Sequence, residues 1–140
     1  PGLDLNIMMK QMGKSIRGLY VMGEDIVLSE PNANRVEEGM NALDFVVVQD
    51  ILLNEICRFA HVILPAACFA EKDGGFTNSD RRVQRVRKAV NAPGDARADW
   101  EIICDISRAC GYPMPWYNDS DDVYAEMAAL TGRFAGITHE

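Results

Sequence analysis

Two short apolar runs, at residues 45–48 (FVVV) and 61–64 (HVIL), constrain the fold more than any other feature of the sequence. Both are continuous rather than alternating and rich in β-branched residues, which is typical of strands buried on both faces in parallel sheets. Residues 16–22 (IRGLYVM) are predicted to form the first strand. Between the first and second strands, apolar residues have the spacing of a helix. A short helical or irregular crossover is predicted at residues 51–60. This order predicts a βαβ unit with a parallel sheet.

Apolar residues at a period of 3.6 predict the helices of the first half. Residues 4–14 form one helix, with Asp4 as its N-cap. Pro31 is expected to be the first residue of the next helix, because a missing N–H is harmless there. The apolar stripe of that helix is predicted to be Val36, Met40 and Leu43.

The pattern changes after Pro65. Residues 82–90 are predicted to be an extended strand or hairpin arm with alternating charge. Asp99 is expected to precede a helix that runs to Ala109, and Ser120 is expected to cap a final helix. The predicted fold class is α/β: a Rossmann-like three-layer unit with a parallel sheet, plus an extended β-hairpin arm and C-terminal helices.

Composition excludes several classes of function. The chain has 140 residues and a net charge of −7, which argues against a general nucleic-acid binder, although the basic stretch at 81–88 could still meet a phosphate. None of the four cysteines forms a CxxC pair, and His61 and His139 lie far from any cysteine pair, so no metal site is predicted. No apolar run reaches the roughly 20 residues of a membrane span. The first residues lack the basic and apolar regions of a secretory signal, and the chain opens on Pro1 rather than Met, so we expect a longer parent chain. A cytoplasmic location is expected, although any export signal would lie upstream of Pro1.

Polar residues follow two of the predicted parallel strands, at Gly23-Glu24-Asp25 and Gln49-Asp50. In open parallel sheets, ligands bind at the carboxyl ends of the strands. A carboxylate there can accept hydrogen bonds from ribose hydroxyls or from the adjacent N1–H and N2–H donors of guanine. The alternative is that these acids only cap the following helices, and the sequence leaves both interpretations open.

The sequence resembles the catalytic subunit of molybdopterin-dependent formate dehydrogenases. The matching stretches are IRGLYVMGED, DFVVVQDILLNE, AHVILPAACFAEKDGGFTNSDRRVQRVRKAV and RADWEIICDISRACGYP. They run in order over nearly the whole chain. Asn54 and Gly75 stand where this family commonly has Thr, and Ile26 stands where Pro is frequent.

The resemblance implies that the chain holds one guanine dinucleotide arm of a bis-molybdopterin guanine dinucleotide cofactor carrying Mo or W. It assigns Gly23, Glu24 and Asp25 to a loop at the nucleotide, Ser29 to the same arm and Gln49 with Asp50 to the next strand end. It assigns Asp99 to the guanine edge, a role that spacing alone does not indicate.

The resemblance also implies that residues 1–140 are a single fragment of a larger catalytic subunit, working with the other domains of that subunit and with electron-transfer subunits. The nucleotide-binding core would be residues 1–68 and 98–119. The hairpin arm at 69–97 and the tail at 120–140 would pack on other regions. The iron–sulfur cluster, the metal ligand and the active-site residues of the family lie elsewhere, so no residue here is expected to be catalytic, and the isolated chain is expected to hold no cofactor. Two alternatives remain: another molybdopterin oxidoreductase, or a cofactor-free interaction module.

Overall fold

A computed structural model describes residues 2–137, and His139 with its neighbours in the predicted tail lies outside them. The chain divides into two compact units, at residues 1–66 and 67–140. The predicted division into a core of 1–68 with 98–119 and an arm and tail of 69–97 and 120–140 stays a prediction.

The first unit is a three-stranded parallel sheet with helices, which confirms the predicted α/β class with a parallel sheet. Its strands are β1 (Gly18–Met22), β2 (Phe45–Asp50) and β3 (Val62–Pro65), in that spatial order. The helices are α1 (Leu5–Gln11), α2 (Ile26–Ser29) and α3 (Ala33–Asn41), and a 3₁₀ helix (Glu55–Phe59) links β2 to β3.

Helix α1 begins as predicted, because the Asp4 side chain accepts from the N–H of Ile7 at 2.9 Å. Helix α3 begins two residues later than expected. Its N-cap is Asn32, whose side chain accepts from the N–H of Arg35, and Pro31 lies outside the helix. Helix α2 was not predicted, because four residues carry no periodic signal.

One face of the sheet forms the core of this unit. Val21, Val46 and Val48 are buried, and the helices supply the rest of the cluster. The predicted stripe of α3 is confirmed, since Val36, Met40 and Leu43 all belong to it: the cluster is Met9, Met12, Val21, Ile26, Val27, Val36, Met40, Leu43, Val46, Val48 and Ile56.

The other face is more open, so the prediction of strands buried on both faces was wrong. Tyr20, Met22 and Phe45 are 40%, 47% and 50% exposed. Burial alternates along β1 and from Phe45 to Val48 in β2, as expected for a sheet covered mainly on one side, whereas Gln49 on the second face is completely buried. A continuous apolar run does not reveal whether its second face is covered.

Two glycines allow α1 and the turn after it to approach α3. A Cβ added to Gly39 would lie 2.8 Å from the Met12 sulfur. Gly13 has a positive φ of 70°, and an added Cβ would lie 2.5 Å from the Ala42 Cβ. The turn therefore needs glycine at position 13 both for its conformation and for space.

The second unit contains the predicted hairpin and C-terminal helices. Strands β4 (Gly74–Thr77) and β5 (Val83–Val86) pair antiparallel. Helix α4 (Asp99–Ala109) has Ala98 as its N-cap, so Asp99 is its first residue rather than the residue before it. Helix α5 (Ser120–Leu130) is capped by Asp119, not by Ser120.

Ile102 and Cys104 are the buried residues of α4, whereas Ile103 is 37% exposed.

Candidate functional site

The carboxyl ends of β1 and β2 lie side by side, as the sequence predicts. Met22 is paired in register with Gln49 in the parallel ladder. The backbone N–H of Gly23 then donates to the carbonyl oxygen of Gln49 at 2.9 Å. The loop after β1 is therefore fixed beside the last residues of β2, at the edge where parallel sheets bind ligands.

The loop itself leaves room for a ligand. Gly23 has a φ of 63°, and an added Cβ would meet nothing within 4 Å. Within residues 2–137, the backbone N–H groups of Glu24 and Asp25 donate to no acceptor. Successive N–H donors beside an open glycine suit an anionic or hydroxyl oxygen.

Asp25 acts as a cap within this unit. Its Oδ1 accepts from the N–H of Val27 at 3.1 Å, and its Oδ2 accepts from the N–H of Glu55 at 2.9 Å. Both carboxylate oxygens therefore bind main-chain donors. Asp25 ties the loop to the start of the 3₁₀ helix, so the capping interpretation describes this residue in the structure.

Glu24 and Ser29 form the exposed polar pair of the loop. The Ser29 hydroxyl donates to Glu24 Oε1, and both side chains face solvent. An exposed carboxylate keeps lone pairs for further donors. Glu24, rather than Asp25, is therefore the acid best able to accept hydrogen bonds from a ligand.

Gln49 and Asp50 are the last two residues of β2 rather than residues beyond it. Gln49 is completely buried, and the Tyr20 hydroxyl donates to its Oε1. Asp50 Oδ1 accepts from the N–H of Ile51 at 2.6 Å, and its Oδ2 accepts from the Asn54 amide at 2.9 Å. Asp50 therefore orders the loop that follows.

That loop carries three consecutive exposed apolar residues. Ile51, Leu52 and Leu53 are 55%, 70% and 81% exposed. The Asp50–Asn54 hydrogen bond closes the loop at its base. Asn54 therefore has a defined structural role, although it stands where the family resemblance predicts Thr.

The second unit holds Asp99 in a different setting. Asp99 forms an ion pair with Lys72, and the two side chains are 32% and 25% exposed. Both residues line a cleft of about 340 Å³. Its other walls are largely apolar, including Val83, Trp100, Val123, Tyr124, Met127 and Phe134. The volume lies at the lower end of the range for ligand pockets.

Sequence reasoning missed Lys72 and Tyr20 as partners of the predicted site residues. Each touches its partner across a long stretch of chain, so no local spacing reveals the contact. The basic stretch 81–88 also has a structural contact, since Arg85 pairs with Asp121 at 2.8 Å.

No metal cluster or membrane span is found in the described part of the chain. Across residues 2–137, no three His, Cys, Asp or Glu side chains converge to hold a metal ion. In the same range, no helix has both the length and the apolar character needed to cross a bilayer.

A comparison with protein families decides which family the chain represents. The family model described as molybdopterin oxidoreductase matches residues 1–109. The chain belongs to the molybdopterin oxidoreductase family. The family assignment confirms the resemblance read from the sequence and implies a molybdopterin cofactor.

Several curated members of this family are similar to the chain. The F420-dependent formate dehydrogenase subunit alpha of Methanocaldococcus jannaschii is 47% identical over 140 residues, covering 99% of this chain and 21% of that protein. A putative formate dehydrogenase of Bacillus subtilis is 44% identical over 144 residues, covering 100% of this chain and 14% of that protein. This molybdopterin oxidoreductase chain therefore spans about a fifth or less of the relatives it matches.

A solved structure of similar fold is acetylene hydratase from Pelobacter acetylenicus. The TM-score is 0.74 at 16% sequence identity, over 85% of this chain and 17% of that one. At this identity the match shows a shared fold and nothing further.

Proposed function

We propose that this chain is part of a formate dehydrogenase catalytic subunit and binds the guanine dinucleotide arm of its molybdopterin cofactor. The observation that carries the proposal is the match along almost the entire chain to formate dehydrogenase alpha subunits at 40–47% identity. The parent reaction is the two-electron oxidation of formate to carbon dioxide, with release of one proton. The metal-pterin cofactor, carrying Mo or W, supplies the redox chemistry, and the protein supplies position and electrostatics.

The loop after β1 fits such a nucleotide arm. Gly23 offers open space, the N–H groups of Glu24 and Asp25 are available donors, and Glu24 with Ser29 adds an exposed acceptor and hydroxyl. We assign Gly23, Glu24 and Ser29 to direct contact. Asp25 holds the loop in shape through its contacts with Val27 and Glu55.

Gln49 and Asp50 are proposed to shape the neighbouring strand end. Gln49 is buried, and Asp50 already accepts from Ile51 and Asn54. Their side chains fix the edge on which the nucleotide lies, and the backbone of β2 anchors Gly23.

Asp99 is proposed to read the guanine edge. A carboxylate faces the paired N1–H and N2–H donors of guanine with good geometry. Asp99 lines a cleft whose largely apolar walls include Trp100 and Tyr124, and aromatic walls suit a flat base. The assignment of Glu24 and Ser29 in the first unit and the assignment of Asp99 in the second unit each depend only on the contacts within that unit.

The other domains of the same subunit are proposed to cover the exposed apolar surfaces of this chain. Exposed apolar patches mark sites of interaction. The loop Ile51–Leu53 and the open sheet face with Tyr20, Met22 and Phe45 are such surfaces. Residues 69–97 and 120–140 are proposed to take part in the same packing.

The parent is proposed to act in the cytoplasm with electron-transfer subunits, and its iron–sulfur cluster is proposed to lie outside this chain. Two of the relatives are named as alpha subunits, which supports an assembly of several chains. All four cysteines are free thiols, as is usual in a reducing compartment.

Calorimetric titration of the full chain with GDP tests the proposal, with ADP as the competing base. GDP is expected to bind more tightly than ADP, and Glu24→Gln and Asp99→Asn are each expected to weaken GDP binding by about tenfold, the loss of one charge-assisted contact. Asp44→Asn is the matched control, since Asp44 precedes β2 at the other end of the strand and pairs with Arg17 at the surface. Absence of GDP binding at millimolar concentration would favour a cofactor-free interaction module.

A further inference from the structure

We propose that Lys72 is a positioning residue that orients Asp99 for recognition of the guanine edge. This inference rests on the proposed function, because it assumes that Asp99 reads the base. Lys72 is assigned no contact with the nucleotide and acts only through the carboxylate of Asp99.

The Lys72–Asp99 pair is better shielded than a typical surface pair of this chain. Its side chains are 25% and 32% exposed, whereas those of Arg17 and Asp44 are 63% and 58% exposed. Ion pairs removed from water are screened less by solvent and salt. Lys72 therefore restricts the orientation of the Asp99 carboxylate.

The backbone that carries Lys72 is held in place from both sides. Asp73 accepts from the N–H of Lys88 at 3.0 Å. The carbonyl of Ala70 accepts from the N–H groups of Ala89 and Val90 at 2.8 and 3.1 Å. The main chain around Lys72 is thus hydrogen-bonded to the segment that follows β5. The backbone position from which the lysine side chain extends is therefore fixed.

Asp99 is fixed by different means. It is the first residue of α4, where a carboxylate interacts favourably with the helix dipole, and the preceding residues are anchored by a 2.7 Å hydrogen bond from Ala67 N–H to the Arg97 carbonyl. The backbone segments that carry Lys72 and Asp99 are both anchored, and the ion pair joins their side chains. The carboxylate of Asp99 is therefore preorganised, which lowers the entropic cost of binding.

The ion pair is compatible with a bound base. Lys72 contacts Oδ2 of Asp99, and each carboxylate oxygen can accept two hydrogen bonds. A guanine edge that donates to both oxygens can therefore share Oδ2 with Lys72. Lys72 then holds the carboxylate of Asp99 in place and does not compete with the base for its oxygens.

Nucleotide selectivity separates this role from a merely structural one. GDP presents N1–H and N2–H, whereas IDP lacks the 2-amino group, so the ratio of their affinities reports the orientation of Asp99. Lys72→Met is expected to weaken GDP binding by about tenfold and to bring the GDP/IDP ratio close to one, the same signature as loss of one acceptor oxygen in Asp99→Asn. Lys72→Arg is expected to retain most of the GDP affinity and most of the GDP/IDP ratio, because it keeps the positive charge. Lys10→Met is the control, because Lys10 is an exposed residue of α1 in the first unit, and it is expected to leave the GDP affinity and the GDP/IDP ratio unchanged.

The double variant Lys72→Met with Asp99→Asn completes the experiment. If Lys72 acts through Asp99, the second substitution has no further effect on GDP affinity. An additive loss would overturn the proposal, as would a Lys72→Met protein that binds GDP and IDP with the wild-type ratio. If Asp99→Asn itself leaves the ratio intact, or the wild-type chain binds no GDP, then the proposed function fails, and the inference about Lys72 fails with it. Loss of the ratio in Asp99→Asn but not in Lys72→Met overturns the inference alone.

Discussion

The Tyr20 hydroxyl donates to Oε1 of Gln49, a completely buried amide on the neighbouring strand. The contact joins β1 to β2 close to the loop that carries the candidate nucleotide contacts. Buried polar groups need hydrogen-bond partners, so this bond stabilises the strand end on which the candidate site is built.

Removing the hydroxyl should therefore destabilise the first unit. Tyr20→Phe is expected to lower the free energy of unfolding by about 1–2 kcal/mol, because a buried acceptor loses a donor. Urea unfolding followed by circular dichroism measures the change. Tyr112→Phe, at a tyrosine that is 65% exposed, is the control and should be nearly neutral. Equal losses of unfolding free energy in the two variants would contradict a stabilising role for the Tyr20 hydrogen bond.

Two positive-φ glycines in the first unit should respond differently to alanine. At Gly13 the new Cβ would lie 2.5 Å from the Cβ of Ala42, whereas at Gly23 it would meet nothing within 4 Å. The left-handed conformation alone costs about 1–2 kcal/mol, and overpacking adds about 1–3 kcal/mol. Thermal and urea unfolding should therefore show a larger loss for Gly13→Ala than for Gly23→Ala. The reverse order would contradict the close contact with Ala42.

Asp25 and Glu24 are neighbours with different expected roles. Asp25→Ala should lower stability by about 1–2 kcal/mol, because the loop loses a capping acceptor. Glu24→Gln should change stability by no more than about 0.5 kcal/mol, as is usual at an exposed position, yet weaken GDP binding. Parallel unfolding and calorimetry experiments give both quantities. A Glu24→Gln protein that is unstable but binds GDP normally would reverse the assignment.

Tyr117 should titrate at unusually high pH. A hydrogen bond to Glu126, together with partial desolvation and the negative charge of that residue, raises the pKa of Tyr117 to about 12. The folded-state pKa exceeds the ordinary value of 10.0, so the stability gained from this contact is present below pH 10 and is lost as the pH rises through about 12.

Ultraviolet absorbance of tyrosinate measures this titration, and Tyr117→Phe identifies its contribution. Glu126→Gln should move the titration of Tyr117 back toward that of an ordinary tyrosine. A tyrosinate signal at pH 10 that disappears in Tyr117→Phe would contradict the contact with Glu126.

Sequence reasoning located the strands and the α3 core stripe because their signals are local: continuous apolar runs for the strands and a period of 3.6 for the helix. Val36, Met40 and Leu43 fall on one helical face, and the packed core uses all three. Helix starts were harder to place. Asp119 and Ser120 both offer an acceptor before α5, and only the folded chain selects Asp119.

The candidate site was predicted in outline, but its internal roles were not. Parallel strand order was enough to bring Gly23 beside Gln49. The division of labour between Glu24 and Asp25 depends on Glu55, a residue distant in sequence whose N–H reaches Asp25. The partner of Asp99 is equally nonlocal, since Lys72 belongs to the segment before the hairpin. Such contacts arise from tertiary packing and leave no spacing signal.

Because Gly39 lies close to the Met12 sulfur, positions 39 and 12 are expected to covary. A side chain can be accepted at 39 only if the thioether at 12 moves away or is replaced by a shorter group. Descendant sequences should therefore show paired changes at these sites, with larger residues at 39 accompanied by smaller ones at 12.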